Sequence, residues 1–317
     1  MATKKLKIAQ ITPYFLPAIG GIEKATYEIS KRLVAKGHRV TVYTSRSKFN
    51  KFNILPEYEE IEGIRVKRYK EYFNLMGAWF PKIAEDEEIL HLINYCLNPH
   101  TYLIRKYFGK KRIVVTFHGG FSRYEGDFKF QPSIYGIGKF FWQYLFGKRY
   151  LKKIDKLIAL HEWEKENLIE KGAPSDKIVI IPNGMGDEAF ERYLPKKFDK
   201  PYILSLCRIA KVKSLDQVIK ILPDIKDCYY VIAGKDIGEG ELENLKQLAR
   251  ELRVEKRVKF VGEIRGRLKY RFLSGAELVI VPSIWEMLSL TVLETMAQGK
   301  IVIASDSYGN PYIIDDK

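Results

Sequence analysis

A chain of 317 residues is larger than one hydrophobic core usually supports, and its 46% hydrophobic and 29% charged residues exclude a disordered or fibrous protein, so we expect two globular domains. No apolar run is long enough to span a bilayer, and Pro13 and Pro17 interrupt the segment where a signal peptide needs its apolar core, which favours a cytoplasmic protein. The net charge of +15 suits an anionic membrane surface or a small anionic substrate as partner, or it reflects lysines that only solvate the surface. The sequence has no recognition helix, zinc finger or aromatic RNA-binding signature, so we expect no nucleic-acid partner.

The chain begins with a strand–helix–strand pattern. Leu6–Thr12 is predicted as a buried strand, and Arg39–Thr44 as the next one. Between them, apolar residues recur every three or four positions, which predicts a helix with these residues on its buried face. They are Ile22, Ala25, Ile29 and Leu33. A helix that joins two strands favours a right-handed crossover and therefore a parallel sheet.

Four further strands complete the predicted first domain. They are Ile64–Arg68, Ile113–Phe117, Lys156–Leu160 and Ile178–Ile181. The segment Arg123–Lys153 departs from this pattern because aromatic residues crowd its centre and basic residues follow them. Such a composition is typical of a membrane-contacting or acceptor-binding element. Apolar residues all round its helical wheel favour a buried helix instead.

The proline-bracketed segment Pro195–Pro201 is predicted as a linker between a domain of residues 1–194 and one of residues 202–317. In the second domain the predicted strands are Tyr202–Cys207, Tyr229–Ala233, Val258–Val261, Leu278–Val281 and Ile301–Ser305. The predicted helices are Leu215–Leu222, Glu241–Leu252, Leu268–Ser274 and Ser289–Gln298. Both domains therefore read as doubly wound α/β folds with parallel sheets. Because ligands of such sheets bind beyond the carboxyl ends of the strands, we expect a small-molecule site in a cleft between the domains.

One strand end in the second domain carries the strongest candidate site. Leu278–Val281 is followed by Glu286 in a loop and then by a helix that contains Glu294. The free backbone N–H groups and positive dipole end of that helix suit a pyrophosphate or a sugar. Glu286 is placed to accept hydrogen bonds from sugar hydroxyls, and Glu294 to hold both hydroxyls of a ribose. The alternative is a solvated loop residue and an ordinary surface charge on a helix.

Glu286 and Glu294 form an E-x7-E pair that resembles the donor-site signature of the family four glycosyltransferases, which have the GT-B fold. Other motifs of that family match in the same order along nearly the whole chain. They are Gly20-Gly21-Ile22-Glu23, Thr116-Phe117-His118-Gly119, Ile181-Pro182-Asn183-Gly184, and the R-x4-K pair of Arg208 and Lys213. The resemblance implies two Rossmann-like domains that face each other across a cleft. It also implies transfer of a hexose, mostly with retention, from a UDP- or GDP-sugar to a glycan or lipid-linked acceptor, with no cofactor besides the donor.

The resemblance gives a role to each matching residue. Gly20 and Gly21 open a helix near the donor phosphates, and His118 reaches toward the hexose. Arg208 and Lys213 bind the donor pyrophosphate. Since two fixed cations stabilise the charge that develops on a departing diphosphate, no metal ion is required.

The remaining donor contacts come from loops of the second domain. Backbone groups of Leu288, Ser289 and Leu290 lie at the start of the helix that carries Glu294, and the backbone of Ile264 is placed to pair with an edge of the base. For His118, a structural cap at the strand end is the alternative to a contact with sugar hydroxyls. A role as general base is less favoured, because in retaining members of the family the departing phosphate is thought to take the acceptor's proton.

The sequence departs from the family pattern at several positions. Met287-Leu288-Ser289 replaces the usual Gly-Phe-Gly, Tyr312 replaces a carboxylate, and Ser214 replaces a glycine after the lysine. The sugar selectivity of the family therefore does not carry over. The chain also ends where family members continue with further α/β units and a helix that crosses back. We therefore expect a truncated second domain, a more open or weakly active enzyme, and self-association through uncovered apolar surface.

Other functions on the same fold remain as alternatives. A degenerate nucleotide-sugar-binding module without turnover is consistent with the altered loop, and a nucleotide-sugar 2-epimerase would use the same donor site. A nicotinamide oxidoreductase is disfavoured because no G-x-G-x-x-G follows the first strand of either domain. Cys96, Cys207 and Cys228 lack the spacing of metal ligands or disulfides, so we expect buried thiols and no metal site.

Overall fold

The computed structural model describes residues 4–18, 20–48, 51, 53–71, 81–94, 99–119 and 148–314. The chain divides into two compact units, Met1–Gly184 and Met185–Lys317. This division lies before the predicted boundary at residue 194, because Ala189 and its neighbours pack in the core of the second unit. The segment predicted as a linker packs there too. The backbone N–H of Lys196 donates to the carbonyl of Arg271 at 2.7 Å, and the ring of Phe198 meets that of Tyr202 edge to face.

The first unit is built on one sheet. Its strands are β1 Lys7–Ile11, β2 Arg39–Ser45, β3 Tyr58–Ile61, β4 Ile64–Tyr69, β5 Ile89–Ile93, β6 Arg112–Thr116, β7 Lys156–Ala159 and β8 Ile178–Ile180. Its principal helices are α1 Gly21–Ala35, α2 His100–Tyr107 and α3 Glu162–Glu170. The strand order is β3-β4-β2-β1-β5-β6-β7-β8, and only the β3–β4 pair among these strands is antiparallel. The parallel strands end at one edge of the sheet, where the loops after β1 and β6 carry the glycine pair and His118.

Helix α1 corrects one prediction. Ile29, expected on the buried face, is 39% exposed, whereas Ser30 and Thr26 are fully buried. The reason is a polar contact with the sheet: the Ser30 hydroxyl donates to the side-chain carbonyl of Gln10 on β1, and Gln10 in turn lies 3.4 Å from Nδ1 of His91 on β5. A buried hydroxyl satisfied in this way sets the helix rotation as firmly as an apolar side chain would.

The second unit contains a fully parallel sheet. Its strands are β9 Tyr202–Leu206, β10 Tyr229–Ala233, β11 Val258–Gly262, β12 Leu278–Val281 and β13 Ile301–Ala304, in the order β11-β10-β9-β12-β13. Its helices are α4 Leu215–Ile221, α5 Glu241–Glu251, α6 Gly266–Gly275 and α7 Leu290–Ala297. Successive residues of β10 alternate between two cores, with Val231 in one and Tyr230 in the other. This alternation is what a strand buried on both faces produces.

The predicted strands agree with the observed ones to within one residue at either end, and the α/β fold with parallel sheets is confirmed. Not predicted were β3, β5, α2 and α3. Most of the aromatic segment Arg123–Lys153 lies outside the described residues, which resume at residue 148. Within the described ranges, every helix is too short or too polar to cross a lipid bilayer.

Candidate functional site

An ion pair joins two of the predicted site residues in the second unit. Lys213 lies in a single 3-10 turn after β9, and Glu286 lies in the loop after β12, the neighbour of β9 in the sheet. Nζ of Lys213 contacts Oε1 of Glu286, and the Ser283 hydroxyl donates to the same oxygen at 3.1 Å. The side chains are 12% and 16% exposed, so the pair is nearly enclosed but still reached by solvent. The backbone N–H of Ile284, bonded to the Val212 carbonyl at 2.9 Å, holds the two loops together.

The helix start predicted beside Glu286 is present. Ser289 is the N-cap of α7, and its hydroxyl accepts a hydrogen bond from the backbone N–H of Val292 at 3.4 Å. Leu290 is the first residue of the helix, and Leu288 just before the cap is 8% exposed. The first-turn N–H groups and the dipole of α7 therefore begin within a few residues of the Glu286 carboxylate, which favours a bound anion there.

Arg208 is exposed and follows Cys207 at the end of β9. Burial raises the pKa of the Cys207 thiol to about 12, and the charges of Lys213, Glu286 and Arg208 all act on that thiol. The three charged residues are thus all near enough to the carboxyl end of β9 to interact with this thiol. Because the thiolate is the nucleophilic form, a thiol with so high a pKa does not serve as a nucleophile at neutral pH.

Ser214 explains one departure from the family pattern. It has φ +48°, in the left-handed region that a glycine adopts without steric cost. The turn that follows Lys213 is therefore retained although the glycine is not. Gly234, in the loop after β10, does need to be glycine, because a Cβ there would lie 1.6 Å from the Cys207 carbonyl oxygen.

Glu294 is a buried residue, which contradicts the alternative of an ordinary surface charge. Its side chain is 5% exposed, and its Oε1 accepts from Nζ of Lys269 on α6 at 2.6 Å. The Tyr270 hydroxyl lies 3.5 Å from the same oxygen, and Nζ of Lys269 stands 4.3 Å from the Tyr270 ring centroid. Lys269 was not predicted, since it lies far from Glu294 in sequence and no motif marks it.

Ile264 lies in the loop after β11, as predicted, and its side chain is 8% exposed within the core beside α6. The loops after β10 and β11 are tied by the Gly234 N–H, which donates to the Gly262 carbonyl at 2.8 Å. The buried side chain fixes the backbone of Ile264 at the carboxyl edge of the sheet.

In the first unit, Gly20 is the N-cap of α1 and Gly21 its first residue, so the glycine pair opens the helix as predicted. A Cβ on Gly20 would lie 2.5 Å from Oε2 of Glu23. The Glu23 carboxylate in the first turn therefore occupies the space that a side chain at Gly20 would need. A side chain at Gly20 would have to displace that carboxylate from the helix start.

His118 occupies the turn directly after β6. Its φ of +48° and the φ of +76° at Gly119 make two consecutive left-handed residues. Burial, together with a smaller contribution from nearby His91, lowers the pKa of the His118 imidazole to about 4. The ring is therefore neutral at physiological pH and can both donate and accept one hydrogen bond.

A carboxylate that sequence reasoning missed holds the His118 turn. Glu164, in the first turn of α3, is 1% exposed. Its Oε1 accepts from the Gly119 N–H at 2.6 Å and its Oε2 from the Leu160 N–H at 2.7 Å. Burial raises the pKa of Glu164, although both hydrogen bonds oppose that shift. Glu164 thus fastens the loops after β6 and β7 to each other. Only its place in the first turn of a helix after a strand could have suggested such a role.

The loop after β13 packs on the Glu286 loop. The Gly309 N–H donates to the Glu286 carbonyl at 2.9 Å, and the rings of Trp285 and Tyr308 lie 4.2 Å apart. Tyr312, which replaces a carboxylate of the family pattern, is 51% exposed. Among the residues that the structure describes, no cluster of three or more His, Cys, Asp or Glu side chains is arranged to hold a metal ion.

Sequence comparison matches the two halves of the chain to two families. Residues 19–188 match the model for Glycosyltransferase Family 4, and residues 187–317 match that for Glycosyl transferases group 1. An uncharacterized glycosyltransferase of Methanocaldococcus jannaschii is 25% identical, over 99% of this chain and 84% of that protein. A human phosphatidylinositol N-acetylglucosaminyltransferase subunit is 21% identical, over 99% of this chain and 65% of that protein.

Solved structures share the fold. Sucrose-phosphate synthase from Thermosynechococcus elongatus superposes with a TM-score of 0.78 at 19% identity, over 98% of this chain and 84% of that one. Anabaena HepE in complex with UDP-glucose gives a TM-score of 0.71 at 16% identity, over 98% of this chain and 83% of that one. The predicted GT-B fold is therefore confirmed.

Proposed function

This chain belongs to glycosyltransferase family 4, and from that premise we propose that it transfers a hexose from a UDP- or GDP-sugar to a glycan or lipid-linked acceptor. HepE, one of the similar structures, is solved with UDP and with UDP-glucose. The human relative is named as part of a phosphatidylinositol N-acetylglucosaminyltransferase. These names favour a UDP-sugar as donor and a lipid as acceptor.

The Lys213–Glu286 ion pair is the observation that carries the proposal. Without a ligand, the lysine uses the glutamate as its counterion in a nearly enclosed position. A donor diphosphate brings two negative charges beside α7 and replaces Glu286 as the partner of Lys213. The released carboxylate then accepts hydrogen bonds from hydroxyls of the sugar. Binding therefore gives Lys213 a new anionic partner, while hydrogen bonds from the sugar compensate the released carboxylate.

The same exchange favours the chemical step. As the bond between the anomeric carbon and the diphosphate breaks, negative charge grows on the leaving oxygen. Lys213, Arg208 and the first-turn N–H groups of α7 are fixed cationic and dipolar groups, so they stabilise the transition state more than the ground state. These protein groups act as the counterion of the leaving diphosphate, and no step requires a metal ion.

The nucleoside end of the donor is assigned to the Glu294 carboxylate and the backbone of Ile264. Lys269 orients Glu294, because a buried carboxylate needs a cationic partner. A carboxylate oriented in this way accepts hydrogen bonds from the ribose hydroxyls. His118, neutral at physiological pH, contributes a hydrogen bond to the hexose or to the acceptor.

The test compares nucleotide-sugar turnover and binding in four proteins: wild type, Glu286→Ala, Arg208→Ala and the control Lys220→Ala. Lys220 lies on α4 in an exposed pair with Asp216 at 2.7 Å, so its loss removes one cation outside the site. We expect at least a hundredfold loss of transfer or donor hydrolysis in the two site variants, the size measured when one transition-state charge contact is removed. Activity should survive EDTA.

Each other outcome has a distinct meaning. If both site variants match wild type, the site is wrong. Calorimetric binding of UDP-sugars with no turnover on any acceptor would identify a binding module, and a changed configuration at C2 of the sugar without acceptor would identify an epimerase.

A further inference from the structure

The positive charge of the chain is concentrated in the first unit. Residues 1–184 contain 32 Lys and Arg against 19 Asp and Glu, whereas residues 185–317 contain 22 against 20. The donor site of the second unit therefore explains little of the net charge of +15. Lysines that only solvate a surface would be expected in both units alike, so the asymmetry points to an anionic partner of the first unit.

Two segments carry most of this excess, and together we call them the basic face: residues 99–112 and 148–156. They contain ten Lys and Arg and a single acid, Asp155, which lies 3.5 Å from Arg112. Eight of the ten basic residues are exposed. Nζ of Lys153 lies 5.3 Å from the Phe108 ring centroid, so the two segments meet at one surface.

Aromatic rings lie between these cations. Nζ of Lys106 is 3.0 Å from the Tyr102 hydroxyl and 5.2 Å from the Tyr107 ring centroid, and Nζ of Lys153 is 5.5 Å from the Tyr150 ring centroid. These tyrosines are half-buried, with lysines over their faces. Stacking on nucleic-acid bases requires open ring faces, so the arrangement disfavours a nucleic-acid partner.

Phe108 differs from the tyrosines, because it is 52% exposed at the end of α2. An exposed apolar ring beside a lysine on a basic surface matches a phospholipid interface, where the ring enters the headgroup layer and the cations meet lipid phosphates. We propose that the basic face docks the protein on an anionic phospholipid bilayer.

The position of the basic face agrees with such a role. Arg112 begins β6 and Lys156 begins β7, so the basic face lies at the amino edge of the sheet. His118 follows the carboxyl end of β6, about 16 Å away for a five-residue strand. Docking through the basic face therefore leaves the strand end that carries His118 uncovered.

The test is sedimentation of the full chain with vesicles, without any substrate, so that its result is independent of the proposed function. Vesicles of phosphatidylcholine with about 30% phosphatidylglycerol are compared with pure phosphatidylcholine at low and high salt. The variant Arg105→Gln/Lys106→Gln/Lys110→Gln neutralises three exposed residues of the basic face. Its control, Lys220→Gln/Lys226→Gln/Lys256→Gln, removes the same charge from exposed positions of the second unit.

We expect binding to the anionic vesicles only, weakened about fivefold for each charge removed from the basic face, or about a hundredfold for the triple variant. The control should lose less than threefold. Phe108→Ser should weaken binding and leave its salt dependence unchanged. Nucleotide binding by the triple variant should match wild type, which shows that it is folded. Equal losses in both triple variants, or tighter binding to a single-stranded oligonucleotide than to anionic vesicles, would overturn the proposal.

Discussion

Replacing Glu164 with glutamine tests whether this residue holds the His118 turn. The native carboxylate accepts from the Gly119 N–H at 2.6 Å and from the Leu160 N–H at 2.7 Å while it is 1% exposed. Glutamine has almost the same shape but offers one acceptor oxygen. Its NH2 group would face a backbone N–H, so one hydrogen bond is lost and one buried donor is left unsatisfied.

The expected loss follows from these two contacts. A hydrogen bond to a charged group contributes about 1.5–3 kcal/mol, and an unsatisfied buried donor costs about 1–3 kcal/mol, so Glu164→Gln should lower the free energy of unfolding by about 3 kcal/mol. In a domain of this size each kcal/mol shifts Tm by about 2–4 °C, which gives roughly 6–12 °C. Glu162→Gln is the matched control, because Glu162 lies on the same helix, is 43% exposed and pairs with Lys165. Its loss should be below about 1 kcal/mol.

Urea and thermal unfolding of the three proteins measure these differences. The pH dependence adds a second check. Burial raises the folded-state pKa of Glu164 above its ordinary 4.5. Protonated Glu164 therefore stabilises the folded protein. This contribution to the free energy of unfolding is present below pH 4.5 and is lost as pH rises through the folded-state pKa. The advantage of wild type over Glu164→Gln should therefore shrink between acidic and neutral pH. A Tm loss in Glu164→Gln no larger than in Glu162→Gln would refute the role assigned to the carboxylate.

Two further predictions concern charges inside the site. Lys269→Met should lower the free energy of unfolding by about 3 kcal/mol, because it leaves the Glu294 carboxylate buried without its cation. Calorimetry should also show at least tenfold weaker UDP binding and less discrimination against 2′-deoxy-UDP. Unchanged discrimination would disprove the assignment of Glu294 to the ribose. His118, with its pKa lowered to about 4, should stay neutral from pH 5.5 to 8. The pH–rate profiles of wild type and His118→Asn should therefore have the same shape over that range, and an inflection near pH 6.5 in wild type alone would contradict a neutral ring.

Strands that are buried on both faces were the easiest elements to predict from sequence. Strands such as Tyr229–Ala233, buried on both faces, appear as continuous apolar runs and were located to the residue. Tyr58–Ile61 was missed because it is an antiparallel edge strand with alternate residues exposed and two glutamates at its centre. The face of α1 was misjudged at Ile29 because Ser30 and Thr26 take the buried positions, and polar burial leaves no hydrophobic pattern to follow.

For the site, proximity could be predicted where strand order fixes it. Lys213 and Glu286 come together because each follows a strand of the pair β9 and β12, which are neighbours in the sheet. The contacts of Lys269 with Glu294 and of Glu164 with Gly119 depend instead on how helices α6 and α3 pack against the strand ends. Such contacts are decided by tertiary packing, and no spacing in the sequence reports them.

Backbone conformation links the missed contacts to the predicted ones. His118, Ser214 and Tyr308 are non-glycine residues with φ of +48°, +48° and +45°, and each lies in a loop at the carboxyl end of a strand. A left-handed conformation at such residues costs on the order of 1 kcal/mol and persists only where surrounding contacts hold it. Two of these turns have such contacts. The N–H of the residue after His118 donates to the Glu164 carboxylate, and the N–H of the residue after Tyr308 donates to the Glu286 carbonyl. Because these three residues lie in loops that carry the candidate site, substitutions in the groups that hold their turns should impair the site before they unfold the sheets.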